Sequence, residues 1–121
     1  MMKINFREKL ELFDQYWVPK IVGEVNDQYV KVAKAKGSMD WHKHEEEDEL
    51  FLVLKGLLRL ELRDQTLELS PGECFVVPRG VEHKPVATEE THFILVEPKS
   101  TVNTGNLQSE QTIDVEDLEW I

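Results

Sequence analysis

His42 and His44 stand two residues apart, and in extended backbone residues i and i+2 project from the same face, so both imidazoles can reach one metal ion. By itself, His-Lys-His in a polar loop more often marks two solvated rings than a metal site. The surrounding spacing shifts that balance. Glu49 follows five residues after His44 and opens the apolar run Leu50–Leu54, an adjacency that aims its carboxylate into the core this run builds. The acidic residues before it, Glu45, Glu46, Glu47 and Asp48, read as a solvated loop face. His83 comes after Pro71-Gly72 and Pro78-Arg79-Gly80, tight-turn sequences that pin it at a strand end.

In order, these residues form two blocks. Gly37, His42, His44, Glu49 and Gly56 make the first; Gly72, Pro78, Gly80 and His83 make the second. The pair resembles the two motifs of the cupin family. Two departures are visible: Gly37 leaves four residues before His42 where the family pattern has five, and Ala87 stands at the position of the second motif's asparagine. The resemblance covers roughly residues 29 to 97. It implies an all-β fold, a double-stranded β-helix (jelly-roll) barrel, with a metal inside held by His42, His44, Glu49 and His83. Neutral imidazoles plus one carboxylate suit a divalent Fe, Mn, Ni, Co, Cu or Zn ion. The absence of a thiolate from the set argues against a closed structural zinc.

Other candidates are weaker. His92 opens the run Phe93-Ile94-Leu95-Val96, where it reads as a half-buried strand residue or, as a catalytic candidate, an acid/base group lining the cavity. Met39 and Trp41 are candidate pocket walls, although Trp41 has strand parity opposite to the histidines and should pack elsewhere. Arg59, Arg63 and Arg79 can grip an anion but read as surface. The lone Cys74 excludes an intrachain disulfide, and its run Cys74-Phe75-Val76-Val77 reads as buried.

The elements that must position these groups are short strands. Segments Lys20–Val25, Tyr29–Lys36, Glu49–Lys55, Leu57–Arg63, Leu67–Leu69, Glu73–Val77 and His92–Glu97 have strand character, with turn residues between them. Leu58, Leu60 and Leu62 alternate with Arg59, Glu61 and Arg63, which predicts one wet face. Many short strands without intervening helices predict a sandwich or barrel. Residues 1–19 read as a short helical lead-in capped by Asn5 with Glu8 three positions on, and Pro19 prevents much continuation. The tail, 99–121, reads as a wrapping segment or frayed arm, with a strand role disfavoured. A chain of 121 residues without repeat or linker is one domain, its core about 20–98.

A net charge of −10 disfavours nucleic acid and anionic membrane surfaces as partners. The charged N-terminus lacks the apolar stretch of a secretory signal, so a cytoplasmic location is expected. Apolar edge strands predict a homodimer. The functional expectation is a metal-dependent enzyme acting on a small molecule in the barrel. Dioxygenase-like chemistry is favoured over isomerase, epimerase or decarboxylase chemistry; a non-catalytic metal-binding or sensor module is the alternative.

Overall fold

The computed structural model of the chain describes residues 2–121. The lead-in contributes one short helix, α1 (Phe6–Leu10), capped as expected: the Asn5 side-chain oxygen accepts from the Glu8 amide at 3.1 Å. Beyond it the chain turns inward at Trp17, whose φ of 62° lies in the left-handed region that bulky residues avoid. Two hydrogen bonds hold it there, its amide to Lys34 O at 2.8 Å and its indole Nε1 to Lys36 O at 3.0 Å, and its ring is buried in the core.

The strands are β1 (Lys20–Val25), β2 (Gln28–Ser38), β3 (Glu49–Lys55), β4 (Leu58–Leu62), β5 (Thr66–Leu69), β6 (Cys74–Val77), β7 (His83–Pro98) and β8 (Glu119–Trp120). Order along the sheet is β5-β4-β7-β2-β1-β8, with β3 pairing both β6 and β7. The architecture follows from the length of β2 and β7. The first part of β7 pairs with β4 through Leu62↔His83 and Arg59↔Val86, and the last part pairs with β3 through Phe51↔Leu95. Likewise β2 runs beside both parts of β7, with a register shift between Ala35 and Gly37 where it bends. Two layers thus share two long strands in an open jelly roll. Their inner faces meet in one core, with Phe51, Val53, Phe93 and Leu95 on one side and Leu58, Leu60 and Leu69 on the other.

Alternation along the strands matches this arrangement. Leu58 and Leu60 are buried, while Arg59 and Glu61 form an ion pair at 3.0 Å on the wet face. A second cluster lies outside the sheet, where α1 and Phe13 cover Val32, Ile94 and the half-buried Leu52 and Leu54. This explains why Leu50–Leu54 is apolar throughout: one face meets the barrel core and the other meets the lead-in. Gly56, between β3 and β4, takes φ 85°, and a Cβ there would overlap Thr91 Oγ1 and the Glu90 carbonyl.

Three expectations need correction. The last strand begins at His83 rather than His92; Pro85 and the polar Thr88-Glu89-Glu90 disguise its first half. The tail ends in a strand, because Glu119 and Trp120 pair in parallel with Lys20 and Ile21. Lys20 Nζ meets Glu119 at 2.8 Å, and Trp120 packs edge-on to Tyr29 at 5.8 Å. Cys74 is exposed, since β6 turns Val77 inward and leaves Cys74 and Val76 on the outside. No helix among the described residues is long and apolar enough to cross a membrane.

Candidate metal centre

His42 and His44 lie on the loop between β2 and β3 rather than in a regular strand, yet the expected alternation holds: both are buried and Lys43 between them is not. A two-way backbone bridge explains this. His42 N donates to His83 O at 3.0 Å and His83 N donates to His42 O at 2.9 Å, so the two motifs are joined residue to residue. The Pro78-Arg79-Gly80 turn ties down the next histidine, with Gly80 N donating to His44 O at 2.7 Å.

The three rings converge. Centroids are 4.4 Å apart for His42 and His83, 5.2 Å for His42 and His44, and 5.5 Å for His44 and His83. One nitrogen from each ring lies within 4.8 Å of the others, a spacing compatible with a shared metal ion. Backbone carbonyls orient two of the rings: Nδ1 of His42 faces Asp40 O at 2.8 Å, and Nδ1 of His83 faces Val81 O at 3.0 Å. A carbonyl accepts only, so each Nδ1 carries the proton and each Nε2 presents a lone pair. Burial, followed by repulsion from His83, lowers the His42 pKa to about 4, keeping that ring neutral at physiological pH.

Glu49, the first residue of β3, points into the same space. Its Oε1 is 3.3 Å from His83 Nε2 and 3.5 Å from His44 Nε2. All three of these atoms are buried without a hydrogen-bond partner, as is His44 Nδ1. Buried polar atoms are rarely left so, and the three that face one another, two imidazole Nε2 and a carboxylate oxygen, form a donor set that suits a metal ion.

Behind Glu49 lies a group that sequence reasoning missed. Glu97 and Lys31 are each 1% exposed, and Lys31 Nζ meets Glu97 Oε1 at 2.9 Å. Burial and then the neighbouring Glu49 hold the Glu97 carboxyl well above the ordinary range, against the pull of Lys31. Burial pushes Glu49 up too, but the neighbouring Glu97, His44 and His83 outweigh it and hold Glu49 well below that range. Of the two carboxyls, Glu97 is therefore the one that takes up a proton first. The available signal was parity: Glu97 shares the inward face of β7 with Phe93 and Leu95.

The cavity beside the site is about 20 Å³, walled by Trp17, Met39, Phe51, Phe93 and Leu95 and touched by His42 and Glu49. That is room for about one water-sized occupant. Asn103 of the tail also lines it. The tail is fastened to the histidine loop by Lys43 N donating to Asn106 Oδ1 at 2.9 Å and Asn106 N donating to Lys43 O at 3.0 Å.

The remaining candidates lie elsewhere. His92 faces the opposite side of β7, half-buried, with Nε2 at 2.7 Å from Glu90. Trp41 packs outside against the Arg63 guanidinium, 3.8 Å from its ring centroid. Arg59, Arg63 and Arg79 are matched to Glu61, Glu82 and Asp48.

A jelly roll with a buried three-histidine cluster at the junction of its two motifs defines a cupin, and the comparisons agree. Residues 28–97 match the family described as Cupin domain, and the chain belongs to that family. It is 37% identical over 79 residues to protein YdbB of Bacillus subtilis (strain 168), covering 64% of this chain and 70% of that one. Among solved structures it is similar to a cupin-2 domain containing protein from Shewanella frigidimarina. That likeness has 45% identity and a TM-score of 0.77, over 78% of this chain and 93% of that chain. Protein NMB1881 from Neisseria meningitidis is similar at 26% identity and a TM-score of 0.74, over 80% and 99% of the two chains.

Proposed function

We propose that the chain holds one divalent transition metal ion through His42, His44 and His83, with Glu49 as fourth ligand, and that the loaded site acts on a small molecule. The observation that carries this reading is the set of buried, partnerless atoms, Nε2 of His44, Nε2 of His83 and Oε1 of Glu49, all converging on one point. The Asp40 and Val81 carbonyls orient the rings, the buried Glu97 lies beside Glu49, and Phe51 and Phe93 wall the cavity. When bound, an Fe, Mn, Ni, Co, Cu or Zn ion supplies Lewis acidity and, if redox-active, electrons for dioxygen chemistry.

Among the described residues lining the cavity, the titratable ones are His42 and Glu49, both in the ligand set. No separate base remains for isomerase or epimerase chemistry. That favours a dioxygenase-like reaction over isomerisation or decarboxylation. A second reading, a metal-holding sensor without turnover, is favoured by the small cavity and its tail roof. Elemental analysis should find about one ion per chain, with loss in His42→Ala; protein that takes up no iron, manganese, nickel or zinc ends the metal reading. Oxygen uptake by the iron form with enol or catechol-like compounds separates enzyme from sensor.

The net charge of −10 supports a small-molecule partner rather than nucleic acid or membrane, and the lone cysteine supports a cytoplasmic setting. The β6 edge, with Val76 46% exposed, supports a homodimer, which sedimentation would detect.

A further inference from the structure

A second concavity lies on the outer face of the sheet, on the side of β7 opposite Phe93 and Leu95. It has a volume of about 610 Å³ and runs between α1 and strands β2, β7 and β3. Small-molecule sites span roughly 300–1,000 Å³, whereas the barrel cavity admits about one water. Phe6 and Leu10 of α1 and Leu54 of β3 form its apolar wall.

Its charge is what singles it out. Lys34 pairs with His92 across β2 and β7, and His92 pairs with Lys55 across β7 and β3, so three basic residues stand in one row over three strands. Arg7 joins them from the helix, and Glu11 is the one carboxylate residue among the described residues lining the space. Like charges set side by side across strands destabilise a sheet. This chain carries a net charge of −10 and has carboxylates to spare. One carboxylate reaches the row, Glu90 at 2.7 Å from His92 Nε2, while Lys31, Arg59, Arg63 and Arg79 have acidic partners elsewhere. Among the described residues Arg7 and Lys55 have none, as is true of Lys3, Lys9, Lys34, Lys36 and Lys84; what sets Arg7, Lys34 and Lys55 apart is that they line one groove. Lys34 Nζ is turned aside onto Phe13 O at 2.7 Å, leaving Arg7 and Lys55 as the free cations beside an apolar wall.

We propose that this groove binds a small amphipathic carboxylate, its apolar body against Phe6, Leu10 and Leu54 and its charged end between Arg7 and Lys55. The site is independent of the metal centre, being on the other face of β7. Opposite charge with exposed donors supplies orientation, and the apolar wall supplies affinity.

Titration calorimetry with decanoate, below its micelle concentration, tests it, with decanol as the uncharged control and amide chemical shifts locating the site. Arg7 and Lys55 are exposed, so the double variant Arg7→Ala/Lys55→Ala should fold normally. The expected result is saturable one-to-one binding, shifts clustered at Leu54, Lys55 and His92, and affinity weaker by about tenfold or more in the double variant and for decanol. No saturable binding, equal affinity in the double variant, or shifts centred on His42 and His83 would each overturn the proposal. So would groove shifts that appear with protein concentration alone, which would give the groove to a second copy of the chain.

Discussion

The carboxylate side chain of Glu97 meets Lys31 Nζ at 2.9 Å and lies beside Glu49, with all three residues buried. Burial and Glu49 hold Glu97 well above the ordinary carboxylate range, while Glu49 is held well below it, so the two carboxyls titrate as a pair. Removing one partner of such a buried pair leaves the other unpaired, which costs about 3–5 kcal/mol. Lys31→Met and Glu97→Leu should each destabilise the chain by roughly that much in urea unfolding. The double variant Lys31→Met/Glu97→Leu should recover part of the loss, because the two groups that face each other then leave together. Strictly additive losses would show that the pair is not coupled.

Gly105 holds the tail against the histidine loop. Its φ is 57°, and a Cβ added there would overlap the Lys43 carbonyl oxygen and come within 3.2 Å of His44 Nδ1. Gly105→Ala should therefore detach the segment, with a stability loss of about 1–3 kcal/mol. Limited proteolysis should cut the variant near Asn106 faster than the parent. Equal cutting rates would mean that the tail is held by its other contacts alone.

Metal binding predicts a stability change that needs no assay of activity. A ligand that binds only the folded state at a hundred times its Kd stabilises by about 2.7 kcal/mol. Manganese or zinc should raise the unfolding midpoint of the parent accordingly, and His42→Ala should lose most of that gain. His42 is the choice because its ring sits at the cavity edge while its backbone bridge to His83 survives the change. An equal gain in parent and variant would place the ion elsewhere.

Much of this arrangement is legible in the sequence because it rests on local rules. Strand parity aims His42 and His44 together, and the Pro78-Arg79-Gly80 turn seats His83 at the head of β7. The parts that stay hidden depend on distant partners. Lys31 reads as a surface lysine until Glu97, 66 residues away, is seen beside it. The first half of β7 is polar on its outer face, and only the pairing of Leu60 with Pro85 makes it a strand. His92 sits beside an apolar run, and sequence alone cannot say which side of the strand lies inside.

The lowered pKa of His42, about 4 against an ordinary 6.5, sets a pH dependence for the metal-free chain. Between those values the unfolded state binds a proton at this ring and the folded state does not. Stability contributed at this site is therefore full above pH 6.5, falls as the pH drops, and is lost below about 4. The whole loss amounts to roughly 3 kcal/mol. As the pH falls, the raised pKa of Glu97 acts in the opposite sense and the lowered pKa of Glu49 in the same sense, so the raw curve mixes the three. The difference between the parent and His42→Leu isolates the ring, provided the variant keeps the Glu97 pair. Denaturant titrations from pH 7.5 to 4 should show the parent losing more stability than the variant across that range. Parallel curves would mean that His42 is protonated in the fold, and the neutral imidazole on which the metal reading depends would be gone.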